Sequence, residues 1–210
     1  MRRQPLKVEA PELRLDPDRV TDPFEWAELF PVDRPIEIEI GIGKGRFLLE
    51  AAEKRPDINH LGVEWANKYL RFAESRAQRR RLENIRFVRV DAREMMSSIP
   101  ARSVHAMYVF YPDPWPKKRH HKRRFLREDM AAELARILVD GGKLHVATDH
   151  EDYWEALQPV FDDHPGFVRQ ESFGGPEFPI GEGEPLTHFE IKYAVEERNR
   201  HRASWVRTAE

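Results

Sequence analysis

At 210 residues the chain is long enough for one domain, or one domain with an arm, around a sizeable core. Its 35 lysines and arginines nearly balance 37 aspartates and glutamates, so only the local placement of charge can argue for a polyanionic partner. No cysteine is present, which excludes disulfides, thiolate metal sites and cysteine nucleophiles. The basic residues near Met1 precede no apolar segment, and no apolar run approaches a bilayer span. The expectation is a soluble cytoplasmic protein.

Residues 1–35 are rich in proline and charge and read as an N-terminal arm, with a short helix around Phe24–Phe30 opened by Pro23. Residues 36–210 read as the main domain. Ile36-Glu37-Ile38-Glu39-Ile40 alternates as a strand should, and Gly41-Ile42-Gly43-Lys44-Gly45 follows it. A helix from Phe47 to about Arg55 comes next. Strand, glycine turn and helix bring backbone close to a nucleotide-like ligand at a strand's carboxyl end. The dinucleotide fingerprint G-x-G-x-x-G fails, because its third glycine position holds Arg46. Glu39, two residues before the turn, suits a ligand with a cationic end, such as S-adenosylmethionine.

His60–Glu64 reads as a second strand ending in an acid about twenty residues beyond the turn, where a ribose presents its hydroxyls. A helix over residues 66–82 places Tyr69, Leu70, Phe72, Ala73 and Ala77 on one side. A third strand over residues 85–90 leads to Asp91, near an adenine edge. Val104–Phe110 is a fourth strand, followed by Tyr111-Pro112-Asp113-Pro114-Trp115-Pro116. Three prolines make this a stiff extended loop, on whose indole a base could stack. Lys117-Lys118-Arg119-His120-His121-Lys122-Arg123-Arg124 then puts six permanent cations into eight residues, a density that marks a phosphate-binding surface. The two histidines have no partner at metal-ligand spacing. A helix from Lys122 to about Leu138 closes on a glycine cap at Asp140-Gly141-Gly142. Residues 143–149 form a fifth strand ending in Asp149. After a helix over residues 153–161, strands over 166–171 and 187–195 form an antiparallel pair at the sheet edge. Parallel strands would line Glu39, Glu64, Asp91, Asp113 and Asp149 along one rim, an arrangement costly unless a ligand uses it.

Glu39-Ile40-Gly41-x-Gly43-x-Gly45, Gly62-Val63-Glu64, Asp91-Ala92, Pro112-Asp113-Pro114-Trp115-x-Lys117-Lys118-Arg119-His120, Ala147-Thr148-Asp149 and Thr187-x-Phe189-Glu190 occur in this order. The set resembles the bacterial tRNA (guanine-N7)-methyltransferase (TrmB) family over residues 36–195. The resemblance implies a Rossmann-like class I methyltransferase fold, α/β, with a mostly parallel seven-stranded sheet, helices on both faces and an antiparallel C-terminal strand pair. It implies transfer of a methyl group from S-adenosylmethionine to guanine N7 at position 46 in the tRNA variable loop. Glu39, Gly41, Gly43, Gly45, Glu64, Asp91 and Asp113 would then bind the cofactor. Asp113 would be catalytic, and Lys117, Asp149, Thr187, His188, Phe189 and Glu190 would hold the substrate. Arg119, His120, His121, Lys122, Arg123 and Arg124 would meet the RNA. The expected partner is tRNA, with neither metal nor membrane involved.

Overall fold

The computed structural model describes residues 12–175, 178–181, 184–193 and 200–209. Eight strands form one sheet in the order β1-β4-β3-β2-β5-β6-β8-β7. They are β1 (Arg14–Leu15), β2 (Ile36–Ile40), β3 (Asn59–Val63), β4 (Ile85–Val88), β5 (Val104–Phe110), β6 (Leu138–Thr148), β7 (Phe167–Arg169) and β8 (His201–Arg207). The first six run parallel, and β8 is antiparallel to both its neighbours, β6 and β7. The mostly parallel α/β architecture with an antiparallel C-terminal pair is as expected. The eighth strand is new: Arg14 and Leu15 of the arm pair with Phe87 and Val88.

Alternation along β2 decides what each face of the sheet carries. Ile36, Ile38 and Ile40 enter a core with Met95 and Met96 of α5 (Ala92–Met96). The same core holds Leu134 of α6 (Glu128–Ile137) and Trp154 and Leu157 of α7 (Glu151–Asp162). Val20 of α1 (Asp18–Thr21) and Leu29 of α2 (Trp26–Leu29) pack against this layer as well. The opposite face is covered by α3 (Arg46–Lys54) and α4 (Asn67–Arg80), through Leu48, Leu49, Leu70, Ala73 and Ala77. Glu37 faces this second layer, where Arg55 grips it with both Nη atoms at 2.8 and 2.5 Å and the Tyr108 hydroxyl donates at 2.9 Å. The Glu37 carboxylate is therefore satisfied, while Nε of Arg55 has no partner among the described residues.

Four expectations fail in instructive ways. The basic run does not start a helix: Lys118–Arg123 is a single 3-10 segment, and α6 begins only at Glu128, beyond the last cation of the run. Asp140-Gly141-Gly142 does not cap α6, which ends at Ile137 with Leu138 already extended. Those glycines instead take up a register shift in β6, where Leu138 faces Val104 but Lys143 faces Ala106. The segment from Thr187 is helix α8 (His188–Tyr193), not strand, and the antiparallel partner of β6 is β8; residues 194–195 lie outside the described ones. Tyr69 and Phe72 stand outside the buried stripe of α4, which consists of Leu70, Ala73 and Ala77.

Candidate active site at the carboxyl ends of the strands

The parallel order of β4-β3-β2-β5-β6 brings Asp91, Glu64, the glycine turn, Asp113 and Asp149 to one rim of the sheet. Glu39 lies one residue inside the end of β2. The turn itself is built by hydrogen bonds: Gly41 donates to the Val63 carbonyl at 2.8 Å, and Gly45 to Ile42 at 2.8 Å. Gly45 has φ +73°, and a Cβ there would lie 2.8 Å from that of Ala73, so glycine is what allows α3 to approach α4. Gly43 donates its N–H to Glu64 at 2.8 Å, and Ala66 donates to the other oxygen at 2.7 Å. Glu64 thereby ties the end of β3 to the turn, and each oxygen keeps a second lone pair for a ligand.

Glu39 is 1% exposed, and its Oε2 has no hydrogen-bond partner among the described residues. Burial pushes its carboxyl up to about 8, a backbone hydrogen bond from Leu48 opposes this, and repulsion from Glu64 adds to it. A buried, unpartnered acid beside a second acid is a site prepared for a cation. Asp91 caps α5, accepting from the Arg93 N–H at 3.0 Å.

The Pro-Asp-Pro loop is clamped at both ends. Tyr111 leaves β5 with φ +52° while its N–H donates to Ala147 at 2.7 Å, so the chain bends there. Its hydroxyl donates to Glu190, and its ring stacks on Phe189 at 5.0 Å. At the other end Arg124 donates from Nε to the Pro114 carbonyl at 2.8 Å and pairs through Nη2 with Asp152. Between the clamps, Asp113 is exposed. Arg124 is therefore not a free cation for RNA. At 3% exposure, lying over the Tyr153 ring, it is a strut of the loop.

The remainder of the basic run divides by burial and pairing. Lys117, Lys118, Arg119 and Lys122 are exposed. Arg123 lies 4.8 Å from the centroid of Trp115, whose edge His120 also meets, so the indole is already covered in part by its own chain. His121 stands 3.7 Å from Asp152. Among the described residues no group of His, Asp and Glu could hold a metal ion.

Thr187, His188, Phe189 and Glu190 form the wall between the glycine turn and the loop. Thr187 Oγ1 accepts the Glu190 N–H at 3.2 Å, and the Glu190 carboxylate accepts from Leu186 N–H and from Arg202 at 2.7 Å. Thr187 thus caps α8 as the Thr of a Thr-x-x-Glu capping box does, while Glu190 reaches one residue further back, to Leu186; that spelling is the signal in the sequence for a helix here. Arg46 donates to the Pro185 carbonyl at 3.0 Å, and Arg76 bridges the Lys44 carbonyl at 3.0 Å and the His188 ring at 3.1 Å. Arg46, Arg76, Tyr111 and Arg202 thus join the site without having been anticipated.

Comparison with known proteins agrees with this geometry. A family model described as a putative methyltransferase matches residues 33–203. A tRNA (guanine-N(7)-)-methyltransferase of Vibrio cholerae is 37% identical over 169 residues, 80% of this chain and 70% of that protein. One from Aliivibrio fischeri is 36% identical over 176 residues, 83% of this chain and 74% of that protein. The chain belongs to the tRNA (guanine-N7)-methyltransferase family. A solved 30S ribosomal A1408 methyltransferase from an uncultured bacterium superposes with a TM-score of 0.59 over 88% of this chain and 93% of that one; at 14% identity it speaks for the class I fold alone.

S-adenosylmethionine, the methyl donor of this family, fits the rim: its sulfonium and ammonium charges suit the orphaned oxygen of Glu39. The sign of the resulting pH dependence follows. The folded Glu39 carboxyl keeps its proton to about 8, against 4.5 unfolded, so the uncomplexed protein loses stability as pH rises through that interval. A cationic ligand favours the ionised form, so donor affinity should strengthen about tenfold between pH 6 and pH 7, below the range in which the donor's own ammonium loses its proton. Calorimetric titration across that range tests this, with Glu39→Gln expected to flatten the curve. An equally steep curve in the variant would place the titrating group elsewhere.

Proposed function

We propose that this protein methylates N7 of guanosine 46 in the tRNA variable loop, using S-adenosylmethionine. The observation that carries the reading is Asp113 presented on a loop clamped at both ends, beside an unpartnered buried carboxylate and an exposed basic segment. Glu39, Glu64, Asp91 and the glycine turn would hold the donor. Lys117, Asp149 and the Thr187–Glu190 wall would hold the guanine, and Lys118, Arg119 and Lys122 the RNA phosphates.

The donor supplies a methyl group made electrophilic by its sulfonium. Guanine N7 offers a free lone pair and carries no proton, so the N7–methyl bond forms as the sulfur–methyl bond breaks and no general base is required. The residues contribute through alignment. The purine gains positive charge, so Asp113 stabilises the transition state electrostatically, or orients the base by accepting from N1–H and N2–H. The clamps at Tyr111 and Arg124 hold Asp113 in place for either task.

The test is transfer of a labelled methyl group to an unmodified tRNA transcript, with the product mapped by borohydride and aniline cleavage. Cleavage at the variable-loop guanosine is expected. A labelled base resistant to cleavage would indicate an exocyclic-amine methyltransferase instead. With about four phosphate contacts, log affinity for tRNA should fall against log salt with a slope of roughly −3. Neutralising Lys118, Arg119 and Lys122 together should reduce that slope by about two; an unaltered slope would mean that the segment is merely solvated.

A further inference from the structure

Among the described residues six large hydrophobic side chains are exposed, and all three aromatic ones fall within one short stretch, residues 65–72: Trp65 at 65%, Tyr69 at 41% and Phe72 at 45%. Trp65 directly follows Glu64, and Tyr69 and Phe72 are one helical turn apart near the start of α4. The core demands none of them, since Leu70, Ala73 and Ala77 already provide the buried stripe of that helix.

Cations border the rings. Arg89 lies 5.3 Å from the Trp65 ring centroid and donates to the Trp65 carbonyl at 3.0 Å, while Lys44 of the glycine turn lies 6.0 Å from Phe72. The patch therefore extends from beyond the end of β4, past the end of β3, to the glycine turn, wider than one adenine ring could cover. Helix α4 adds Lys68, Arg71, Arg76, Arg79 and Arg80 against one acid of its own, Glu74, which Arg14 neutralises; Arg80 pairs with Glu53, and Arg76 is held by the Lys44 carbonyl and His188. A surface made for a protein partner would be poor in charge at its centre. Aromatic faces set among cations in excess over acids suit unstacked bases joined by phosphates.

We infer that Trp65, Tyr69 and Phe72 form a stacking shelf for unpaired nucleotides next to the methylated guanosine, on the side of the site opposite the basic segment after β5. The inference rests on the tRNA-methylating activity proposed above. It adds a second contact surface, so the RNA would be gripped by phosphate contacts on one side and by base stacking on the other. Losing one stacking ring weakens binding to single-stranded nucleic acid by about fivefold to a hundredfold.

The test uses the full chain and an unmodified tRNA transcript. The triple variant Trp65→Ser, Tyr69→Ser, Phe72→Ser should bind tRNA at least tenfold more weakly in filter binding with an unchanged salt slope, because no cation is removed. Donor affinity by calorimetry and kcat at saturating tRNA should stay within twofold of the wild type. A second triple variant that keeps aromatic rings, Trp65→Phe, Tyr69→Phe, Phe72→Tyr, should retain most of the affinity. Unchanged tRNA binding by the serine variant overturns the shelf. So does an equal loss of donor affinity, which would assign the rings to the cofactor, or a dimer-to-monomer change in sedimentation at unaltered tRNA affinity, which would assign them to a second copy. Wild-type protein that binds tRNA without methylating it removes the proposed activity and leaves the shelf to stand on the binding ratio. Wild-type protein that does not bind tRNA removes both.

Discussion

Replacing Glu190 with alanine is expected to cost about 3–5 kcal/mol of stability, because it leaves a charged partner and two further donors without an acceptor. The carboxylate is 3% exposed and receives Tyr111 Oη–H, the Leu186 N–H and the Arg202 guanidinium. For a chain of this size that loss corresponds to a fall of about 10 °C in Tm, readable by circular dichroism. Glu190→Gln should fall between, since an amide oxygen still accepts but carries no charge. Tyr111→Phe should cost only about 1 kcal/mol, the worth of one hydrogen bond. These outcomes separate two roles for the residue. A Glu190 that acts only by touching substrate would lower turnover in the alanine variant and leave Tm where it was. The geometry favours the structural role: the acid fastens the Thr187–Glu190 wall to the start of the Pro-Asp-Pro loop.

The second large effect falls on turnover. Asp113→Asn should lower kcat by about a hundredfold to a thousandfold, the range found when a group aimed at developing charge is removed. Tm should change little, since Asp113 is exposed and its loop is held through Tyr111 and the Pro114 carbonyl. The asparagine keeps an acceptor oxygen but loses the charge. If asparagine retains most activity and alanine does not, orientation of the base is the task of Asp113. If asparagine fails as badly as alanine, charge is what matters. Single-turnover methyl transfer on unmodified tRNA makes the comparison, and wild-type rates in both variants would remove Asp113 from the catalytic role.

The parts of the site legible in the sequence are those whose cause is local. Ile36–Ile40 alternates, three glycines follow, Glu64 directly follows the end of β3, and Asp91 comes three residues after the end of β4. Period and turn chemistry suffice to place all of these along the rim. Thr187–Glu190 read as strand because Phe189 and Ile191 favour strands, whereas the Thr-x-x-Glu box decided for helix. β8 escaped notice because its burial is set by its partners. His201–Arg207 carries charged or polar residues at four of seven positions, yet Ser204 meets the ring of His145 at 2.8 Å and Trp205 is fully buried. Arg124 looks like its neighbours in sequence. What separates it from them is Asp152, 28 residues later, and a carbonyl ten residues earlier, neither of which a charge count can reveal. Helical period alone puts Tyr69 and Phe72 on the core side because it identifies a face only to within a residue or so; the burial of Leu70, Ala73 and Ala77 locates it.

The position of β8 has a consequence for how the molecule is made. β7 leaves the ribosome before β8, the one neighbour it has in the sheet, and β6 meanwhile exposes a bare, largely apolar border. Such borders invite pairing with another nascent chain. Arrival of residues 201–207 closes that gap, supplies Trp205 to the core and brings Arg202 to Glu190 in a single event. Assembly of the Thr187–Glu190 wall is therefore coupled to insertion of β8, and a chain stalled before it would carry the glycine turn and its neighbouring acids but leave Glu190 without Arg202.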